Sequence, residues 1–266
     1  MMALISTELL KVRTTRSWWG ILIGAVVWIG GLSAIAAAFS GQSFDPNMPA
    51  LTPEDPDVAR LVYTSGLTNF GYVFTMVLGT LIICTEFRHQ TVTPTFLATP
   101  RRWRAVVAKW VAVALYSLLY GVIFLGISLG LGLAFFAARG FEIDLARSDL
   151  WRAMALCLLA FVLWGLIGIG LGTLIGNQIV AILVGIGFVV VELIASGILS
   201  FVEWGPDVLK FFPTNATQAL ISPAVVEGPG QSIELLPWWG GAVELILIAA
   251  VFSAIGAALT LRRDVT

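Results

Sequence analysis

Residues 153–202 read AMALCLLAFVLWGLIGIGLGTLI, then GNQ, then IVAILVGIGFVVVELIASGILSFV. Two apolar runs, 153–175 and 179–202, flank a three-residue turn. Each run exceeds the roughly 20 residues a helix needs to cross the hydrocarbon core. Glu192 is the one charged residue in the stretch. Neither run alternates with period two, so β-barrel strands are not supported. Gly176, Asn177 and Gln178 leave room only for a tight turn, so the two runs pair as an antiparallel helical hairpin.

Four more runs of this kind lie outside that hairpin, at 18–39, 62–83, 110–137 and 239–261, and no run contains Pro. Composition agrees with them. Of 266 residues, 58% are hydrophobic, 12% are charged and the mean hydropathy is +0.94. A soluble domain carries roughly 25% charged residues, and disorder needs a polar chain. The expected fold is an all-α integral membrane protein with six transmembrane helices. The first run follows basic residues as a signal peptide would, but it is too long for an h-region and has no small-residue cleavage site. It reads as a retained span.

Charge placement orients the spans. With the N-terminus inside, the inner segments hold ten Lys and Arg and the outer ones hold five: Arg60, Arg139, Arg147, Arg152 and Lys210. Eleven acidic residues fall outside and only Glu8, Glu86 and Asp264 fall inside. The positive-inside rule therefore puts both termini in the cytoplasm. Most of the ten Trp sit near span ends, as an interfacial belt requires. Residues 1–17 form a cytoplasmic segment, 18–261 a single membrane domain and 262–266 a cytoplasmic tail. Between spans lie a Pro-rich acidic outer loop at 40–61, a basic cytoplasmic loop at 84–109, and outer segments at 138–152 and 203–238. The last contains an apolar stretch, Val208–Ile221, broken by Pro213, which suits a re-entrant or interfacial pair of helices. There is no internal repeat.

Several chemistries are excluded. One His and two Cys cannot build a site of several His and Cys ligands. No disulfide framework is expected from one pair. A net charge of −1 gives no bias toward nucleic acid. The three lysines follow Leu10, Ala108 and Leu209, so no Gly-x-x-x-x-Gly-Lys phosphate loop exists. The only His lies in the basic loop, away from any intramembrane Ser, which disfavours an intramembrane hydrolase.

Two cytoplasmic stretches carry pattern. Ile5, Leu9 and Val12 share a helical face in residues 1–17. That segment is either an amphipathic interfacial helix, with Lys11 and Arg16 reaching head groups, or an ordinary basic flank. The loop reads CTEFRHQTVTPTFLATPRRWRAVVAK from Cys84 to Lys109. Val92, Phe96 and Leu97 give a short apolar face able to dock in a partner's groove. Retention by the positive-inside rule explains the arginines but not Glu86.

Here the sequence resembles the permease subunits of ABC-2 type (type V) ABC exporters, particularly actinobacterial ones. The matching positions are Glu86, Arg88, Thr91, Pro100, Arg101, Arg104 and Lys109, with Gln90 where the family usually has Gly. The N-terminal ELLKVRTTRSWW, the later GLGTLIGN, Val190-Val191-Glu192 and Phe211-Phe212-Pro213 extend the likeness over nearly the whole chain. The resemblance implies a dimer of permease protomers, identical or not. It implies a separate ATPase subunit docked on the N-terminal helix and the 84–109 loop, with Phe96 in the docking element. Export would pass between the second and fifth spans of the two protomers, carrying an amphipathic or hydrophobic drug, lipid or peptide. This chain would then need no cofactor and would not itself be an enzyme. ATP and Mg would belong to the partner, and the chain would sit among lipids in a bacterial plasma membrane. A stand-alone secondary transporter or channel is the main alternative. It usually shows repeats and helices broken at mid-membrane, neither of which is visible in the sequence. A non-transporting anchor or sensor subunit is a third reading.

Polar residues inside the spans complete the candidates. A carboxylate at the depth of Glu192 costs roughly 3 kcal/mol on insertion scales, so it either serves the pathway or dimer seam or is held by structural bonds. Glu244 is expected to reach the outer interface. Asn69, Tyr72 and Thr75 recur at i, i+3 and i+6, as either a helix–helix bonding stripe or a substrate contact. Gly168, Gly172 and Gly176, and separately Gly126 and Gly130, have the small-xxx-small spacing of close helix packing.

Overall fold

The computed structural model describes residues 1–39, 56–89, 102–141, 145–221, 225–227 and 232–262. A short helix α1 (Met2–Thr14) ends where Thr15 turns extended, and α2 (Ser17–Phe39) is the first span. The second span joins α3 (Pro56–Tyr63), a π-helical turn at Leu67–Gly71 and α4 (Tyr72–Arg88). Next come α5 (Arg102–Ala138), α6 (Ser148–Ile175) and α7 (Gln178–Leu199). Two short helices, α8 (Gly205–Leu209) and α9 (Pro213–Ile221), lead through a hairpin to α10 (Trp238–Arg262). Among the described residues, six helices are long and apolar enough to cross a membrane, as expected.

Helix ends follow local chemistry. Pro56, Pro206 and Pro213 all fall in first turns, where no helical N–H is lost. Gly176 closes α6 with φ 71°, and the Asn177 side chain accepts from the N–H groups of Ile179 and Val180 to open α7. The turn thus consists of two caps back to back. Helix α5 has 37 residues, about 55 Å at 1.5 Å per residue, well beyond the hydrocarbon core. Its first two turns carry Arg104 and Lys109, so the end of the expected 84–109 loop is helix.

The bundle closes around α4 and α6. A Cβ on Gly168 would sit 2.0 Å from the Met76 carbonyl oxygen, and one on Gly79 would sit 2.1 Å from that of Gly165. Thr80 donates to the Gly168 carbonyl across this seam at 3.0 Å. Gly172 also packs there, against Ile83. Gly176 does not, because it is the left-handed cap. Gly126 and Gly130 meet nothing within 4 Å. Their spacing is that of a packing motif, but within the protomer they face outward.

Two features depart from the sequence reading. The second span is broken: Asn69 (φ −86°, ψ 41°) and Phe70 (φ 63°, ψ 18°) leave helical geometry, and Trp28 Nε1 of α2 donates to the Asn69 carbonyl at 3.1 Å. No Pro marks the site, so apolar periodicity concealed it. The segment between α9 and α10 also holds an antiparallel hairpin, β1 (Val225–Glu227) with β2 (Ser232–Glu234), the one pair of strands among the described residues. Helix α9 enters the bundle, because Trp164 Nε1 donates to Thr217 Oγ1 at 2.8 Å. Trp164 lies about 24 Å along α6 from its first residue, Ser148.

Candidate coupling site

Helix α1 is fixed by charge at the end of the bundle where α4 stops and α5 starts. Lys11 Nζ lies 2.7 Å from Glu8 Oε1 and 3.0 Å from Glu86 Oε1. Lys109 Nζ lies 2.8 Å from Glu8 Oε2 and 2.6 Å from Glu86 Oε1. Among the described residues, two carboxylates and two ammonium groups thus alternate around a ring. Glu8 and Lys11 come from α1, Glu86 from the last turn of α4 and Lys109 from the start of α5. Glu8, Glu86 and Lys109 are only 5%, 7% and 7% exposed. Burial by itself would raise the Glu8 carboxyl, but the charges and hydrogen bonds of Lys109 and Lys11 outweigh it and hold Glu8 below its ordinary 4.5. Burial likewise opposes the charged form of Lys11, and Glu8 and Glu86 outweigh it, raising Lys11 above 10.5.

Aromatic residues lock the same joint. Tyr116 Oη donates to the Leu9 carbonyl at 3.3 Å, Tyr120 Oη donates to the Trp18 carbonyl, and the Trp18 and Tyr116 rings lie 5.8 Å apart. Beside the cluster a cavity of about 270 Å³ opens between α1, α2 and α4, with Lys11, Glu86 and His89 at its polar edge and Trp18, Leu78 and Ile82 on its wall.

Among the expected docking residues, Glu86 and Lys109 therefore turn inward and position α1. Arg88 is exposed at the end of α4 and lines a second depression, of about 570 Å³, with Phe87 and the Gly176–Ile179 turn. The Arg104 guanidinium lies 5.7 Å from the Trp103 ring centroid. Thr91, Phe96, Pro100 and Arg101 lie outside the described residues. Glu8 was read in the sequence only as an inner acidic residue. Its proximity to a helical Lys11 three residues on was the available signal, whereas Lys109 is 101 residues away.

The membrane candidates do not form one stripe. The break at Asn69–Phe70 separates Asn69 from Tyr72 and Thr75. The Thr75 hydroxyl donates to the Tyr72 carbonyl inside α4 at 2.8 Å, and the Tyr72 ring packs on Trp164 with centroids 4.5 Å apart. Glu192 is 4% exposed, on the only buried stripe of α7, with Ala181, Gly185 and Val189. Its side chain turns into the protomer, towards Tyr72, Thr214 and Glu244. The Thr214 N–H and hydroxyl face the carboxylate, yet neither completes a hydrogen bond of good geometry, and both Glu192 oxygens are left unpaired. Glu244 is half-buried, and its Oε2 is buried and unpaired as well.

Six helices able to span, a break in the second and an N-terminal helix clamped to the second and third together describe a multi-pass membrane protein. The family model for ABC-2 family transporter proteins matches residues 4–195, and the chain belongs to that family. No curated protein matches the chain.

Proposed function

We propose that this chain is the permease subunit of an ATP-driven exporter whose ATP is hydrolysed by a separate subunit. The Glu8–Lys11–Glu86–Lys109 cluster is the observation that carries the reading. A closed ion cluster joins α1 to both helices that flank residues 90–101, so a push at either cytoplasmic element is transmitted to the second and third spans. Stability is a poor reason for such a cluster, because buried ion pairs rarely outperform apolar packing. A fixed geometry between moving parts is a better one. Arg88 and the 570 Å³ depression offer the ATPase a surface beside the cluster.

The second protomer covers the exposed face of α7, where Leu183, Val191 and Ile198 are 63–64% exposed. Substrates are amphipathic or hydrophobic molecules leaving a bacterial plasma membrane. ATP and Mg are bound by the partner, and this chain needs no cofactor. The broken second span favours a second reading, a secondary transporter that works alone. Reconstitution separates the two. Liposomes holding the chain and its P-loop ATPase should accumulate an amphipathic probe only with ATP. Transport by the chain alone, driven by an ion gradient, would establish the second reading instead.

A further inference from the structure

The outer side of the chain is acidic, yet three of its five basic residues converge on one place. Arg60 Nη2 of α3 and Arg147 Nη2 share Asp149 Oδ2 at 3.1 and 2.7 Å. Arg152, one turn into α6, has no carboxylate partner among the described residues. Its guanidinium lies 4.6 Å from the Trp238 ring centroid. A cavity of about 280 Å³ opens here, lined by Arg60, Asp149, Arg152 and Trp238 and backed by Leu220 and Leu236. Asp149 and Trp238 lie in the first turns of α6 and α10, so two long helices direct their positive ends at the same opening. The exposed Trp151, Trp238 and Trp239 place that opening at head-group depth.

We propose that this cavity binds the phosphodiester of an anionic phospholipid from the outer leaflet. Stacking on Trp238 occupies one face of the Arg152 guanidinium and leaves its N–H edge free for a bidentate bond to phosphate. Arg60 and Arg147 hold Asp149, so the Arg152 charge, which has no carboxylate partner among the described residues, is the one left for an anion. The apolar backing of Leu220 and Leu236 suits the glycerol and first acyl carbons, which a free anion lacks. The opening lies beside the re-entrant α9, so the lipid would sit against the outer part of the bundle and away from the ATPase side.

The test uses the full-length chain in nanodiscs of mixed phosphatidylglycerol and phosphatidylcholine, with retained lipid counted by native mass spectrometry. Wild type should enrich phosphatidylglycerol about fivefold over the bulk ratio, the factor expected of one well-placed arginine. Arg152→Gln should abolish that enrichment, and Arg152→Lys should retain only part of it because an ammonium lacks the planar fork. Lys210→Gln, which removes an outer charge paired with Asp207 away from the cavity, should leave it intact. Thermal unfolding of Arg152→Gln in pure phosphatidylcholine should match wild type, so that a fold defect is recognised. Undiminished enrichment in Arg152→Gln, or an equal loss in Lys210→Gln, would overturn the proposal. So would displacement of the lipid by inorganic phosphate, which would make this a free-anion site.

Discussion

Glu86 carries two ammonium groups and has little access to water, so its removal should be felt well beyond its own helix. Glu86→Ala leaves Lys109 buried with one partner fewer, and loss of one member of a buried ion pair costs about 3 kcal/mol. We expect α1 to detach. Limited proteolysis should cut within residues 1–16 of the variant and spare wild type, while the spans stay inserted. The same contact should depend on pH at both ends. Glu8 is held below its ordinary value, so its contribution is full above about 4.5 and is lost as pH falls through the lowered folded value. Lys11 is raised, so its contribution is full below 10.5 and is lost as pH climbs through the raised folded value. Protection of residues 1–16 should therefore be flat across neutral pH and fail at both extremes. Failure near pH 7 would count against the cluster.

Glu192 poses the opposite problem, a carboxyl group that the protomer leaves unpaired. An apolar replacement of similar shape removes an unsatisfied group and can stabilise the protomer by about 1 kcal/mol. Glu192→Leu should therefore fold at least as well as wild type, and Glu192→Gln should keep most transport. A well-folded Glu192→Leu protein with reduced transport would locate a functional need at this side chain. Normal transport in both would make Glu192 a tolerated polar residue. The sequence revealed Glu192 because it is the one charged residue among the 50 positions from 153 to 202. It did not reveal which way the side chain turns, since that depends on α9 and α10 entering from distant segments.

At the scale of elements, the α4–α6 seam depends on missing side chains. Gly168→Ala would place a methyl against the Met76 backbone, which cannot yield without separating the two helices. Overpacking of this kind costs about 3 kcal/mol or more, and we expect poor yield and a lower unfolding temperature. Gly126→Ala and Gly130→Ala meet open space in the protomer and should raise helix stability by up to about 1 kcal/mol each. Should either weaken a dimer on size-exclusion chromatography, that face of α5 would belong to the protomer interface. The spans were legible because 20 apolar residues in a row leave few alternatives. The glycine roles were not, because Gly168 and Gly126 have the same spacing signature and differ only in what faces them. The break at Asn69–Phe70 was hidden for a related reason. Gly66 and Gly71 flank it, but glycine is ordinary in membrane helices.

At the scale of the molecule, orientation rests on charge alone. Cysteine introduced at Ser148 should react with an impermeant reagent from outside, and cysteine at Asn177 only after permeabilisation. Both positions are exposed, and the native Cys84 and Cys157 are buried. Reversed labelling would invert every assignment of sides. The family and the six spans follow from the chain itself, whereas the partner must be tested directly. The measurement closest to the central claim is ATPase capture by the affinity-purified permease, compared across wild type, Glu86→Lys, Lys109→Glu and the fourfold exchange Glu8→Lys, Lys11→Glu, Glu86→Lys, Lys109→Glu. The account predicts that wild type retains the P-loop subunit, that each single exchange loses most of it, and that the fourfold exchange regains a substantial share by restoring opposite charges at all four contacts. Equal retention in all four proteins, or ATP-independent transport by the chain alone, would contradict it.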